Sequence, residues 1–341
     1  MALILAGIDE AGYGPMLGPL CVGAAVFRVE GWEPDGRAPD LWDLLSSGVC
    51  RRAGDRHRRV AVEDSKRLKL PNSSATLHPL THLERGVLAF LGAAGARPAT
   101  DLALFGVLGS ACEPHAWYAG DPRPLPVAHT PDQLAIAANE VARAMHAAGV
   151  SLAALRCRMV GETAFNDVVA ARGTKAAATE AALGALVRGV WERWSAEAGQ
   201  DAGGPRIVCD RQGGRTDYAP VLARIMAGTE AEIVVLEESA RCCRYLVREA
   251  GAGGNLAAGR RATVLFLTEA EGRHLPVALA SMTAKYVREL AMARFNAYWC
   301  GLCPELKPTA GYTQDARRWL REAMQAGVLD GSMRQVLVRR A

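Results

Sequence analysis

LILAGIDEAGYGPMLGPLCVGAAV, Leu3 to Val26, reads as an apolar run, two adjacent acids, a glycine-rich turn and a second apolar run. Leu3 to Ile8 has the length and bias of a buried strand. It ends on Asp9 and Glu10, before the turn Gly12-Tyr13-Gly14-Pro15 and the run Leu20 to Phe27. Carboxylates at the end of a buried strand cost desolvation energy unless something positive meets them, commonly a divalent metal or an arginine. The glycines let backbone come close to a partner and present amide groups to it. A structural hairpin carrying two solvated acids satisfies the same letters, so the rest of the chain must decide.

Working outward, 341 residues of which half are hydrophobic are enough for a large core. No basic region precedes the first apolar run, which acids soon break, so no signal peptide is expected. No run approaches the ~20 apolar residues of a membrane span. Nine cysteines without regular spacing suit a reducing, cytoplasmic setting better than a disulfide framework. The net charge of +4, carried mostly by arginine, permits nucleic-acid binding without arguing for it. No internal repeat is visible.

Val29 to Gly54 reads as an irregular excursion, and Arg51 to Arg59 as a basic stretch, either a solvated loop or a phosphate-binding patch. Asp64-Ser65-Lys66 offers an acid-hydroxyl cap followed by cations suited to a backbone phosphate. Apolar spacing predicts helices over Leu80 to Leu91, over Asp132 to Ala148 and over about Thr174 to Trp194. In the last, Leu183, Val187, Val190 and Trp194 form one stripe, with Trp191 and Trp194 read as core. Leu155 to Val160 alternates as a half-buried strand does. Arg206 to Asp210 is a second short apolar strand that delivers an aspartate to its end, with Cys209 pointing to the opposite face. Leu279 to Glu289 opens a helix, with Ser281 placed to cap it and Lys285, Arg288 and Met292 on its outer face. Trp299-Cys300-Gly301-Leu302-Cys303 has the letters of a redox Cys-x-x-Cys, but it follows a helix instead of opening one and lacks a second zinc-ligand pair.

Four of these blocks, in this order, resemble the ribonuclease HII (type 2 ribonuclease H) family, closest to its archaeal and eukaryotic branch. They are Asp9-Glu10 with its glycine turn, Asp64-Ser65-Lys66, the strand ending at Asp210, and Ala280-Ser281-Met282-Thr283-Ala284-Lys285-Tyr286-Val287-Arg288. Ala310-Gly311-Tyr312 ahead of a tryptophan-bearing helix resembles a further family segment. The family has Gly-Arg-Gly where this chain has Gly12-Tyr13-Gly14. Its fourth acid, an aspartate ten residues before the serine, falls here on Glu271, with Glu269 the other candidate.

The resemblance implies a single α/β domain over 1–341 with a ribonuclease H-like fold, a mixed central β-sheet flanked by helices. Insertions fall near 92–154 and 215–262. It implies endonucleolytic hydrolysis of RNA in RNA–DNA hybrids or at ribonucleotides embedded in duplex DNA, with no membrane and no obligate protein partner. The cofactor implied is Mg2+ or Mn2+ in a two-metal site. Asp9 would bridge, Glu10 and Asp210 would hold one ion and Glu271 the other. Gly12, Tyr13, Gly14, Lys66, Lys285, Arg288 and Tyr312 would meet the substrate, Tyr312 lying against the ribose that carries the 2′-hydroxyl. The tyrosine at position 13 and the glutamate at 271 motivate the alternative, a catalytically weak or inactive nucleic-acid-binding paralogue.

Overall fold

Strand β1, Ala2–Ala11, and strand β2, Leu20–Glu30, pair antiparallel from Ala2↔Glu30 to Ala11↔Cys21, with the glycine turn between them. Their residues are apolar on both faces because both faces are covered. Ile4, Ala6 and Ile8 enter one core, and Leu3, Leu5 and Ala11 the other. The computed structural model describes residues 1–33, 37–196, 204–249 and 259–340.

The remaining strands in chain order are β3 Val49–Cys50, β4 Val60–Ala61, β5 Val150–Val160, β6 Arg206–Asp210, β7 Ala231–Glu238, β8 Cys242–Glu249 and β9 Arg261–Leu267. Seven of the nine described strands form one sheet in the order β5-β2-β1-β6-β9-β8-β7, while β3 and β4 pair separately. β6 runs parallel to β1 and β9 parallel to β6, whereas β2, β5, β8 and β7 join antiparallel. The chain therefore has an α/β architecture, with the expected mixed central sheet flanked by helices.

The helix Leu275–Leu302 lies across one face of β1 and β2. Its backbone comes so close that a Cβ on Gly7 would strike Pro276 and Val277, and one on Gly23 would strike the carbonyl of Ala280. An alanine at either position would lift the helix off the sheet. Helices Glu162–Arg172 and Lys175–Trp194 cover the other face through Phe165, Val169, Leu183, Val187, Val190 and Trp194. Thr174 caps the second of these through the N–H of Ala177. Two other expected helices are found at Thr81–Ala93 and Pro131–Ala147; Thr130 and Gln133 form a capping box on the latter.

Two expectations are corrected. The long helix begins at Leu275, so Ser281 sits in its second turn and caps nothing. Nor do Arg288 and Met292 form an outer face: Arg288 is 0 % exposed and Met292 is buried, because residues 310–320 pack over that side.

Residues 92–154 contribute the helices Asp101–Leu108 and Pro131–Ala147 and lead into β5. Residues 215–262 contribute β7 and β8, which widen the central sheet beyond β9; residues 250–258 of that stretch lie outside the described ones. Among the described residues, no helix is long and apolar enough to cross a membrane.

Candidate active site

Strand register brings the first two acids together. β1 and β6 pair in parallel up to Ile8↔Cys209, and the next position on each strand is Asp9 and Asp210. Parallel neighbours lie ~4.8 Å apart. Asp9 follows Leu3 and Leu5 to the face covered by the long helix, and Asp210 follows Val208 to the same face, while Cys209 enters the opposite core. The third acid arrives from the end of β9, which pairs with β6 through Asp210↔Leu267. Glu269 takes a left-handed backbone, φ 53°, and a short turn over Ala270–Gly272 follows. The N–H of Ala270 donates to Asp210 Oδ1 at 2.9 Å, and the Glu271 carboxyl hydrogen-bonds with that of Asp210. Glu271 Oε2 is buried without a partner, whereas Glu269 is exposed. Glu10, half-buried, completes the group beside the charge of Lys66.

Four carboxyl groups this close cannot all ionise unaided. Like charges ~4 Å apart repel by ~4 kcal/mol at an effective dielectric near 20. Burial first, then the charges of Glu10 and Asp210, hold the Asp9 carboxyl well above the usual carboxylate range. A hydrogen bond from Ser281 and another from the Glu10 N–H at 2.7 Å pull it back in part. Burial raises Glu10 as well, with Lys66 and Gln212 opposing. Asp210 is pushed up to about 7, by burial first, then by Glu271 and Glu10, against the Ala270 N–H. Lys66 loses solvation by burial, but Asp64, Asp9, Glu271 and Asp210 outweigh that and keep it firmly charged.

A folded value near 7 lies above the ~4 of an unfolded aspartate, so the stability Asp210 contributes is complete below about pH 4 and is lost as pH rises through 7. In chelator, the melting temperature should fall between pH 5 and pH 8. About 1 kcal/mol, discounted for partial solvent exposure, corresponds to roughly 2 °C in a chain this long. Asp210→Asn should flatten that slope, and magnesium should restore the loss at pH 8. A slope unchanged in Asp210→Asn would place its origin elsewhere.

The substrate-side candidates divide. Tyr13 and Tyr312 are 42 % and 47 % exposed, so both rings are free to meet a ligand. Gly14 is exposed, and Gly12, φ 92°, has room for no side chain, since a Cβ would lie 2.6 Å from Arg288 Nε. Lys66 is exposed beside the acids. Lys285 bonds Glu289 at 2.6 Å and lies 5.9 Å from the Tyr312 ring. Arg288 stays beneath the turn, where its Nη2 donates to the carbonyls of Leu17 at 3.3 Å and Ala310 at 3.1 Å. It floors the turn instead of reaching into solvent.

Sequence reasoning missed several participants. Ser281 bonds both Asp9 and Ser65, the latter at 3.0 Å. Gln212, two residues after Asp210, lies beside Glu10 with its buried amide nitrogen unpartnered. Lys69 joins Lys285 and Arg288 around Glu289, whose carboxyl these three cations hold below its ordinary range despite burial. Arg339, 4 % exposed, crosses from the far end of the chain and donates to the carbonyls of Tyr13 at 2.9 Å and Pro15 at 2.5 Å. Asn166 grips that tail, donating to Val338 O at 3.0 Å and accepting from Arg340 N at 2.7 Å. The turn lacks an arginine of its own, yet two buried guanidinium groups lie beneath it. The basic stretch is tied to the acids by Arg51, which donates to Gly272 O at 2.8 Å and stacks 3.6 Å over Trp42. At the other end of the long helix, burial raises the Cys300 thiol, which donates to Leu306 O, the opposite of what redox chemistry needs.

No protein-family model matches the chain, and no curated protein matches it. Among solved structures, it is similar to a chain of the PCNA:RNase HII complex from Archaeoglobus fulgidus, at 13 % identity and a TM-score of 0.41, covering 99 % of this chain and 94 % of that one. It is also similar to ribonuclease H2 from Pyrococcus horikoshii OT3, at 16 % identity and a TM-score of 0.40, covering 99 % and 93 %. A third is Bst-RNase HIII in complex with Mn2+, at 14 % identity and a TM-score of 0.37, covering 99 % and 66 %. At such distances, function is read from the chain's own residues.

Proposed function

We propose that the chain is a metal-dependent endonuclease that hydrolyses RNA in RNA–DNA hybrids or at ribonucleotides embedded in duplex DNA. The observation that carries this is the gathering of Asp9, Glu10, Asp210 and Glu271 from three separate segments at the strand ends, beside Lys66 and close to charges that each needs offset. On this reading residues 1–341 are one domain, into which 92–154 and 215–262 are inserted. Nine unpaired cysteines suit a reducing cytoplasm.

The donor set fits Mg2+ or Mn2+: it is all carboxylate oxygen, the preference of hard cations, and Glu271 Oε2 is buried without a partner. Asp9, which feels the charges of both Glu10 and Asp210, would be shared, and Glu271, bonded to Asp210, would help hold the second ion. When bound, such ions lower the pKa of water and offset charge on the phosphate and the leaving 3′-oxygen. The protein's part is to hold the four carboxylates ionised and converging. Ser281 and the Glu10 N–H orient Asp9, and the Ala270 N–H orients Asp210. Lys66, next to the acids, would take a phosphate oxygen, and Lys285 another near Tyr312. Tyr312 and the backbone of Gly12 and Gly14 then face the ribose, whose 2′-hydroxyl is what distinguishes RNA from DNA.

Cleavage of three labelled duplexes tests this: a continuous hybrid, a DNA duplex with one ribonucleotide, and all-DNA, each with Mg2+, Mn2+ or chelator. The first two should be cut with metal and the third left intact. Binding without cleavage under any metal would favour the inactive paralogue. Tyr13 supplies one hydroxyl and a ring but neither the charge nor the several donors of an arginine. The single-ribonucleotide duplex should therefore be preferred over the hybrid by no more than about tenfold, ~1.4 kcal/mol. A much stronger preference, unchanged in Tyr13→Phe, would sink that expectation.

A further inference from the structure

Apart from the strand-end acids, the described residues bring together Glu113, His115 and Glu162, with one ligand atom of each within 4.8 Å of the others. Glu113 and His115 come from the 92–154 segment and Glu162 opens the helix Glu162–Arg172. The local sequence builds this closely. Glu113 accepts from the N–H groups of Thr163 at 3.1 Å and Ala164 at 2.8 Å, which satisfies the start of that helix. Gly161 leaves the space, since a Cβ there would collide with the Glu113 carboxyl. His115 Nε2 lies 2.9 Å from Glu113 Oε2 and 3.0 Å from Thr163 Oγ1, and its ring stacks on Trp117 at 4.3 Å.

Glu162 points independently to a ligand. It is fully buried; its Oε1 accepts from Tyr118 OH at 2.7 Å and from the Gly18 N–H at 3.2 Å. Its Oε2 has no hydrogen-bond partner at all. An unpartnered buried polar atom costs ~1–3 kcal/mol. Burial, and less strongly the charge of Glu113, disfavour its ionised form, and a cation reverses both effects.

We propose that Glu113, His115 and Glu162 form a divalent cation site of zinc type, distinct from the strand-end acids, which fastens the 92–154 segment to the turn that follows Asp9 and Glu10. One imidazole nitrogen and two carboxylate oxygens suit zinc, whereas magnesium prefers oxygen alone. Zinc bonds of ~2.0–2.2 Å put tetrahedral ligand atoms roughly 3.4 Å apart, so small side-chain rotations close the present spacing. The ion takes the place of the hydrogen bond between His115 and Glu113. His115 and Glu113 side chains are 19 % and 17 % exposed, which gives the ion a way in. Through Glu162 Oε1 and the Gly18 N–H, the site holds the far end of the glycine turn.

The test is a zinc chloride titration of the metal-free full-length chain, read by calorimetry and by the melting temperature. One zinc per chain should bind in the Asp9→Asn/Asp210→Asn double variant, and the wild type should bind that zinc in addition to any held by the strand-end acids. His115→Phe, which keeps a ring on Trp117, should weaken zinc binding by roughly tenfold or more, and His115→Cys should recover most of it. Zinc that binds wild type and His115→Phe alike overturns the proposal, as does zinc lost in the Asp9→Asn/Asp210→Asn variant but kept in His115→Phe. If His115→Phe does not fold, Glu113→Gln serves in its place with the same outcomes. None of these readings depends on cleavage, so the nuclease reading stands or falls separately.

Discussion

Asp9→Asn is expected to lower metal-dependent hybrid cleavage by ~10³-fold or more, about 4 kcal/mol of barrier, with the folded chain intact. Asparagine keeps the shape and the oxygen that accepts the Glu10 N–H, but removes the charge that the cluster shares. In metal-free protein, that charge is buried and faces Glu10 and Asp210, so its loss should leave the melting temperature unchanged or higher. The combination is diagnostic: a dead enzyme that is no less stable has lost chemistry, not structure. Activity within about tenfold of wild type would place the chemistry elsewhere.

The second large effect separates two neighbours. Glu271 bonds Asp210 and carries a buried oxygen without a partner, whereas Glu269 is exposed and serves to turn the backbone. Glu271→Gln should reduce cleavage by about 10²-fold, and Glu269→Gln by about twofold at most. Single-turnover rates under saturating Mg2+ and Mn2+ give the comparison. A fully active Glu271→Gln enzyme would mean that the site is completed by another group.

The sheet was legible because its central strands are covered on both sides and leave apolar runs, each followed by an acid: Leu3 to Ile8 and Ile207 to Cys209. Their adjacency was not written there; it follows from parallel pairing of segments about 200 residues apart. The long helix misled at its start, because Leu275 to Ala280 is apolar on every side and carries no polar cap to mark the boundary. Arg288 illustrates a wider limit. An arginine four residues from Ala284 reads as solvent-facing unless one knows that the 310–320 segment covers it. Arg339, Ser281 and Gln212 were missed for a similar reason: their partners lie far away in sequence or across a helix–sheet contact, which local periodicity does not report.

The floor of the glycine turn has a consequence for how the chain folds. Gly18 is held by a residue 144 positions away, Leu17 by one 271 away and Tyr13 by one 326 away. Contacts closing loops of that length form late, since the entropy of closure comes before any reward. The same contacts are few and confined to the edge of the core, so they are the natural first to open in the native state. Amides of residues 12–18 should exchange with solvent faster than those of β1 and the long helix. In a urea series, hybrid cleavage should disappear while the helical signal persists, the nuclease failing as a machine before it fails as a fold.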